Sequence, residues 1–387
     1  MKKKLLWIIT PILILLALIG TGIGVAVVKK PNSNTQNRTD EENKIPNQDN
    51  ENQKINLSDL TKKVLGTIEE QNLNKKTILN KLKELNVEIK DRDLSSLSVE
   101  ISEFSAVIKS TTKDLKFSGE VEVRFIPVDG NGSNNRRTAV YNEDKSICKK
   151  IGYSINQDGN WMVKQFDINT SKVPEELPWF ITSLVGLFSE NKNERIEGIE
   201  KWDTSNITVM SFMFERALSF NQPLNDWNTS NVTNMFAMFS GAKSFNQPLN
   251  NWNTSKVTNM RLMFDGAKKF NQPLNNWDTS NVTDMCRVFF GTDDFNQAIG
   301  NWNTSNVTDM SWMFNGAKSF NQDISNWDTS NVTDMTAMFE RAPSFNQDIS
   351  NWNVDNVTEF EDFSRDFPES NHPEWTQSKR PTFKIKN

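Results

Sequence analysis

The stretch WNTSNVTDMSWMFNGAKSFNQDISN, Trp302 to Asn326, decides the reading of this chain, because it recurs with a period of 25 residues. A tryptophan marks each recurrence: Trp202, Trp227, Trp252, Trp277, Trp302, Trp327 and Trp352. A fixed period of roughly 20 to 50 residues is the signature of a solenoid or a propeller, in which each unit buries its apolar side only against its neighbours. A propeller blade takes about 40 residues or more and four strands, which this period cannot supply. Within the copy, Met310, Met313, Phe314 and Ala317 stand at i, i+3, i+4 and i+7. That spacing predicts one face of a short helix, capped by the Thr308 hydroxyl, with Asp309 in its first turn and Gly316 at its end. The segment after Phe320 is too short for a helix and predicts a strand of about three or four residues through Ile324.

The fold class that follows is an α/β solenoid, leucine-rich-repeat-like, with a short parallel strand and a short helix in each coil. Its core is the tryptophan column together with Met310, Met313 and Phe314 and their equivalents. Pro223, Pro248 and Pro273 stand where later copies carry Asp323 or Asp348, so that position donates nothing to a ladder. Polar columns are as constant as the apolar ones. Asn221, Asn246, Asn271, Asn296, Asn321 and Asn346 form one, and Thr208 to Thr358 another. A side-chain amide repeated in this way can satisfy backbone groups of the turns above and below it.

The unit N-W-D-T-S-N-V-T-D-M-x-x-M-F-x-x-A-x-S-F-N-Q-D-I-S resembles the repeat of BspA-like leucine-rich-repeat surface proteins, in the form abundant in mycoplasma lipoprotein-like proteins of unknown function. The resemblance implies a cell-surface solenoid acting as adhesin, antigen or interaction scaffold, and it carries over no catalytic residue. One departure stands out: no cysteine precedes Cys148, so the lipid attachment of lipoprotein relatives has no residue to use.

Around the array the chain divides by composition. Residues 1–30 hold Leu5 to Val28, 24 uncharged residues between lysines, which exceeds the roughly 20 needed to cross a bilayer. This predicts a single-pass anchor, N-terminus inside, with the bulk of the chain extracellular. The alternative is a secreted protein after signal cleavage. Residues 31–56 are polar and predict a disordered spacer. Residues 57–172 read as a small α+β domain, with helix faces at Leu60, Val64, Leu65, Ile68 and at Ile78, Leu79, Leu82, Leu85. Strands follow at Val99 and Ile101 and at Val121, Val123 and Phe125, then a hairpin around Gln157 to Asn160. Residues 173–363 are the solenoid with degenerate caps, since Ile181 to Phe188 resembles Ile207 to Phe214 at an offset of 26. Residues 364–387 are a tail whose Trp375 either covers the last coil or hangs free.

Composition narrows function. A net charge of −5 lacks the clustered positive field that nucleic acid requires. The one histidine, His372, lies in the tail, no phosphate loop is present, and Cys148 and Cys286 have no paired spacing. The reading is therefore a non-enzyme with no cofactor, no metal and no catalytic residues. Copies differ where side chains point outward: Phe212, Leu262, Arg287 and Trp312 in one column, and Phe290 in the next. Exposed aromatics on an invariant frame suit recognition. These five residues are the candidate ligand face. The expected partner is a host or neighbouring-cell surface protein or glycan, and the alternative is a self-associating surface-layer protein with variable repeat number.

Overall fold

The hydrogen bonds of the repeat leave each coil instead of closing within it. In the computed structural model, which describes residues 53–130, 136–365 and 375–384, parallel bridges join Val209, Asn234, Asn259, Asp284, Asp309, Asp334 and Glu359 in one column. Alternate residues then donate to the following coil: Met310 N–H to the Asp334 carbonyl at 2.9 Å, Trp312 to Thr336 at 2.8 Å, Phe314 to Met338 at 2.9 Å and Gly316 to Glu340 at 2.8 Å. Between them Met313, Asn315 and Ala317 bond back to the carbonyls of Met310, Trp312 and Phe314 at 3.2, 3.1 and 3.0 Å. Each coil thus combines a parallel ladder with tight turns.

The helix expected over Met310 to Ala317 is corrected by this pattern, because the segment is a run of turns. Two residues per coil, four apart, adopt left-handed backbone, Trp312 at φ 53° and Gly316 at φ 69°. A left-handed residue cannot continue a right-handed helix, and the donors a helix would use inside itself are committed to the next coil. The spacing of the apolar residues survives, since linked turns of this size return the chain to the same side every three to four residues. Thr308 is likewise no helix cap. Its N–H and hydroxyl both donate to the Thr283 carbonyl, at 2.9 and 3.2 Å, and so tie it to the preceding coil. No strand forms through Ile324. There the coils are joined by side chains, which is why a proline at 223, 248 or 273 costs no ladder bond.

The inward residues stack in register. Phe214, Phe239, Phe264, Phe289, Phe314 and Phe339 follow one another at 5.5–5.8 Å between ring centroids. A second file runs from Phe220 to Phe345 at 5.8–6.1 Å, and each pair within a coil lies 4.0–4.2 Å apart. Met310, Met313 and Phe314 are fully buried, and the seven column tryptophans are no more than 5% exposed. Every one of those indoles donates to a carbonyl 28 residues earlier, as Trp302 does to Leu274 at 3.1 Å. An indole N–H buried without such an acceptor would cost stability, so the tryptophan is held by its hydrogen bond as well as its area.

Both ends of the stack are closed. Leu184, Gly186 and Phe188 donate to Val209, Ser211 and Met213, so the coil before Trp202 belongs to the ladder. At the far end the carbonyls of Glu359, Glu361 and Phe363 accept from Met335, Ala337 and Phe339. Trp375 folds back over the last coil: it is fully buried, 5.0 Å from Phe345, and its indole donates to the Gln347 carbonyl at 2.8 Å with the same 28-residue offset.

Ahead of the coils, a four-stranded sheet in the order Val64–Glu69, Glu120–Val128, Ser105–Lys109, Ser98–Ile101 packs with the helix Lys75–Leu85. Ile78, Leu79 and Leu82 of that helix are buried, whereas Leu85 is 41% exposed. The first helix expected over Leu60 to Ile68 is a correction. Val64–Glu69 is a strand, drawn into parallel pairing with Glu120–Val128, with Leu65 and Ile68 inward and Val64 outward. Tyr153–Ile155 and Trp161–Val163 form the hairpin. The hydrophobic core does not divide at residue 172: Phe104, Ile126, Val128, Tyr153 and Phe166 belong to the core that runs through the coils. Arg137, 1% exposed, lies at this junction, its guanidinium paired with Glu70 and Glu103 and set over the Phe104 and Tyr153 rings. The Leu5 to Val28 run, nearly all of the spacer and His372 lie outside the described residues. Among the described residues no helix is long and apolar enough to cross a membrane.

Candidate binding face of the repeats

The column three residues after the bridge residues carries four of the candidate face residues, although its Ala237 and Ala337 are buried, and its backbone is the unusual part. Phe212, Ala237, Leu262, Arg287, Trp312 and Ala337 have φ between 50° and 58°. Each donates its N–H to the next coil, so the left-handed turn is fixed by the ladder and not by the side chain. Four residues on, the other left-handed column carries glycine at Gly241, Gly266, Gly291 and Gly316. Glycine is the residue that meets this geometry without steric cost. In the Phe212 column no copy from Phe212 onward uses it.

The five sequence-derived face residues are placed as follows. Trp312 is 37% exposed, and among the described residues it makes no ring contact and no side-chain hydrogen bond. Phe212 is half-buried and packs edge-on against Phe236 of the next coil at 4.7 Å. Leu262 is half-buried. Arg287 and Phe290 are brought together, the guanidinium carbon 4.1 Å from the ring centroid. Arg287 Nε also lies 3.0 Å from a carboxylate oxygen of Asp265, whose pKa burial raises and Arg287 pulls back down. Thus Trp312 is the most exposed of the five, while Arg287 and Phe290 brace each other. Phe236, one position earlier in its coil, joins the face and was not singled out by the sequence.

A second grouping emerges beside it. Arg261 Nη1 lies 3.4 Å from Asp284 and 3.3 Å from Asp309, bridging two coils. The buried Cys286 thiol completes a cluster whose potential ligand atoms all lie within 4.8 Å of one another. Burial raises the pKa of Asp284 and pushes the Cys286 thiol up to about 11. The Arg261 guanidinium already supplies a cation to both carboxylates, so chemically the cluster is a cross-coil ion pair over a protonated thiol. The sequence held a signal for it: Asn259, Asp284 and Asp309 share one column at the 25-residue period.

What holds the coils on the side remote from the turns is the asparagine column. Asn271 Oδ1 accepts from the Asn296 N–H at 3.0 Å and from Gln297 Nε2 at 2.9 Å. The same pair of bonds recurs from Asn221 through Asn321. A second threonine column does equivalent work, as when Thr304, 1% exposed, donates to the Asp328 carbonyl at 2.9 Å.

Fold and face together define a protein of stacked 25-residue repeats whose side chains vary on one surface over a constant backbone. The chain belongs to the family described as Mycoplasma protein of unknown function, DUF285, whose profile matches residues 182–286 and 272–375 and so spans half of the sequence. No curated protein and no solved structure matches the chain.

Proposed function

We propose that the coils form a leucine-rich-repeat-like solenoid of the BspA-like kind, and that the chain is a cell-surface interaction protein without catalytic activity. In this reading Leu5 to Val28 holds the chain in the membrane, the coils stand outside the cell, and the turn face contacts a host or neighbouring-cell protein or glycan. The observation that carries it is Trp312. A left-handed position favours glycine, yet here the chain keeps a tryptophan that is 37% exposed and makes no ring contact or side-chain hydrogen bond among the described residues. A bulky exposed side chain at a backbone position that disfavours it is best explained by what it meets outside. Phe212, Phe236, Leu262 and the Arg287–Phe290 pair extend the same apolar strip along neighbouring coils.

The test is a screen of the intact chain against immobilised matrix proteins and glycans, repeated with Trp312→Ala. The variant should lose about 2 kcal/mol or more of binding while its urea midpoint stays near wild type, as aromatic hot spots do. A large stability loss with unchanged binding refutes the reading. Growth of the chain's own oligomers with concentration, abolished by the same substitution, would assign the face to self-association instead.

A further inference from the structure

Each coil presents one further side that neither the core nor the turn face uses. Along Asn306, Val307 and Thr308 the side chains alternate, with Asn306 and Thr308 exposed and Val307 buried between them. The same alternation recurs at Asn281, Asn331 and Asn356. Lys256 interrupts the column on the near side, where its Nζ donates to Asn231 Oδ1 at 2.7 Å. From Asn281 onward two exposed polar columns therefore run side by side along the stack.

The stack itself holds these side chains in place. Each of the four asparagines donates from Nδ2 to a serine carbonyl of the preceding coil at 2.7 Å, as Asn306 does to Ser280. Thr308, Thr333 and Thr358 donate their hydroxyls to the carbonyls of Thr283, Thr308 and Thr333 at 3.2, 3.1 and 3.3 Å. A carboxamide has two N–H donors and an oxygen with two lone pairs. Each asparagine thus keeps one N–H, together with an oxygen that accepts nothing among the described residues. A donor beside an acceptor is the complement of a hydroxyl group, which is both.

The period selects the occupant further. Neighbouring coils are bridged as parallel strands, about 4.8 Å apart, close to the advance of one ring along a straight, equatorially linked pyranose chain. Side chains already fixed by the fold lose little further freedom on binding. A protein partner would need an apolar anchor, and among the described residues none of the large exposed apolar side chains lies in these columns. A polyanion would meet Asp284, Asp309, Asp334 and Glu359, which form the column next to the threonines.

We infer that this side of the coils binds a straight, neutral polysaccharide, one ring to a coil, from Asn281 to Asn356. The site is separate from the Trp312 face and stands without it.

The experiment titrates the intact chain, in neutral detergent, with cellobiose, cellotetraose, cellohexaose, chitotetraose and maltotetraose. Cellotetraose or chitotetraose should bind about tenfold tighter than cellobiose, since two further rings each add hydrogen bonds of ordinary strength. Cellohexaose should gain nothing more, because the asparagine run is then filled, and maltotetraose, whose linkages curl the chain, should bind no better than cellobiose. Asn306→Lys should weaken the tetrasaccharide about tenfold or more with an unchanged urea midpoint, because the coil two repeats earlier carries Lys256 at this position. Ser319→Lys, an equal charge change with the precedent of Lys269, should leave binding as it is. Absence of length-dependent binding, or equal loss in the two variants, overturns the proposal. Loss in Trp312→Ala without loss in Asn306→Lys also overturns it and assigns the sugar to the turn face. Oligomers of the chain that Asn306→Lys disperses, with no sugar bound, give the columns to a second copy instead.

Discussion

Asn271 offers a direct test of the asparagine ladder, because its two accepted bonds can be removed or kept by substitution at one atom. Its Oδ1 is the acceptor for the Asn296 N–H, and that N–H has no other acceptor among the described residues. Gln297 Nε2 is better insured, since it also reaches the Asn271 backbone carbonyl at 3.2 Å. Asn271→Ala therefore strands one backbone donor and weakens one side-chain bond. At about 0.5–1.5 kcal/mol for each bond lost, and with water able to reach the edge of this column, the cost should be about 1–2 kcal/mol. Asn271→Asp keeps an oxygen in the same place and makes both bonds charge-assisted, so it should stay within about 0.5 kcal/mol of wild type. Urea midpoints of the three proteins at neutral pH decide the matter. If Asp costs as much as Ala, the column works through its amide N–H groups or by shape alone. If Ala is silent, the ladder contributes nothing measurable.

Three further outcomes are expected. Phe314→Ala should cost about 3–5 kcal/mol in a urea melt, since the ring is fully buried and stacked on Phe289, Phe320 and Phe339, while Ser319→Ala should be near silent; equal small effects would reverse the assignment of faces. Gly266→Val should cost about 1–3 kcal/mol although an added Cβ meets only Gly241 atoms at 3.8–3.9 Å, because a β-branched residue resists φ 68°; a silent variant would mean the left-handed turn is not held. Burial keeps the Cys286 thiol protonated to about pH 11 against an ordinary value of 9.0, so the folded chain retains a proton the unfolded chain loses. Its contribution is complete below pH 9.0 and lost as pH rises towards 11, and the alkaline fall in urea midpoint should be shallower in Cys286→Ser.

The sequence made the coil period, the inward columns and the closing role open to Trp375 legible, because burial repeats and repetition is visible. It did not reveal the route of the hydrogen bonds. Spacings of i, i+3, i+4 and i+7 state which side chains share a side, and linked turns satisfy them as well as a helix does. The glycines at 241, 266, 291 and 316 were the available clue, since four left-handed positions in register argue against helix. Nothing in the side chain of Trp312 announces its φ. The strand Val64–Glu69 carries a helix-like spacing for a different reason: Leu65 and Ile68 stand three apart because the pairing with Glu120–Val128 shifts register between Val64 and Thr67. Arg261, Asp284 and Asp309 are far apart along the chain and adjacent only once coils are superposed, a step the period permitted.

The ladder also restricts how the outward face can vary. Its bonds use backbone atoms, so exchanging Phe212 for Leu262, Arg287 or Trp312 leaves them intact, and chemistry on this face can change without disturbing the stack. The left-handed backbone is less tolerant, because branching at Cβ clashes there whatever lies outside. Across Gly186, Phe212, Ala237, Leu262, Arg287, Trp312 and Ala337, and across Glu190, Arg216, Gly241, Gly266, Gly291, Gly316 and Arg341, no valine, isoleucine or threonine occurs. The same chain places Val, Ile or Thr freely at other columns, as at Ile207, Val232 and Thr336. Polarity and size at these two columns are thus open to a binding partner's demands, while branching is ruled by the turn beneath them.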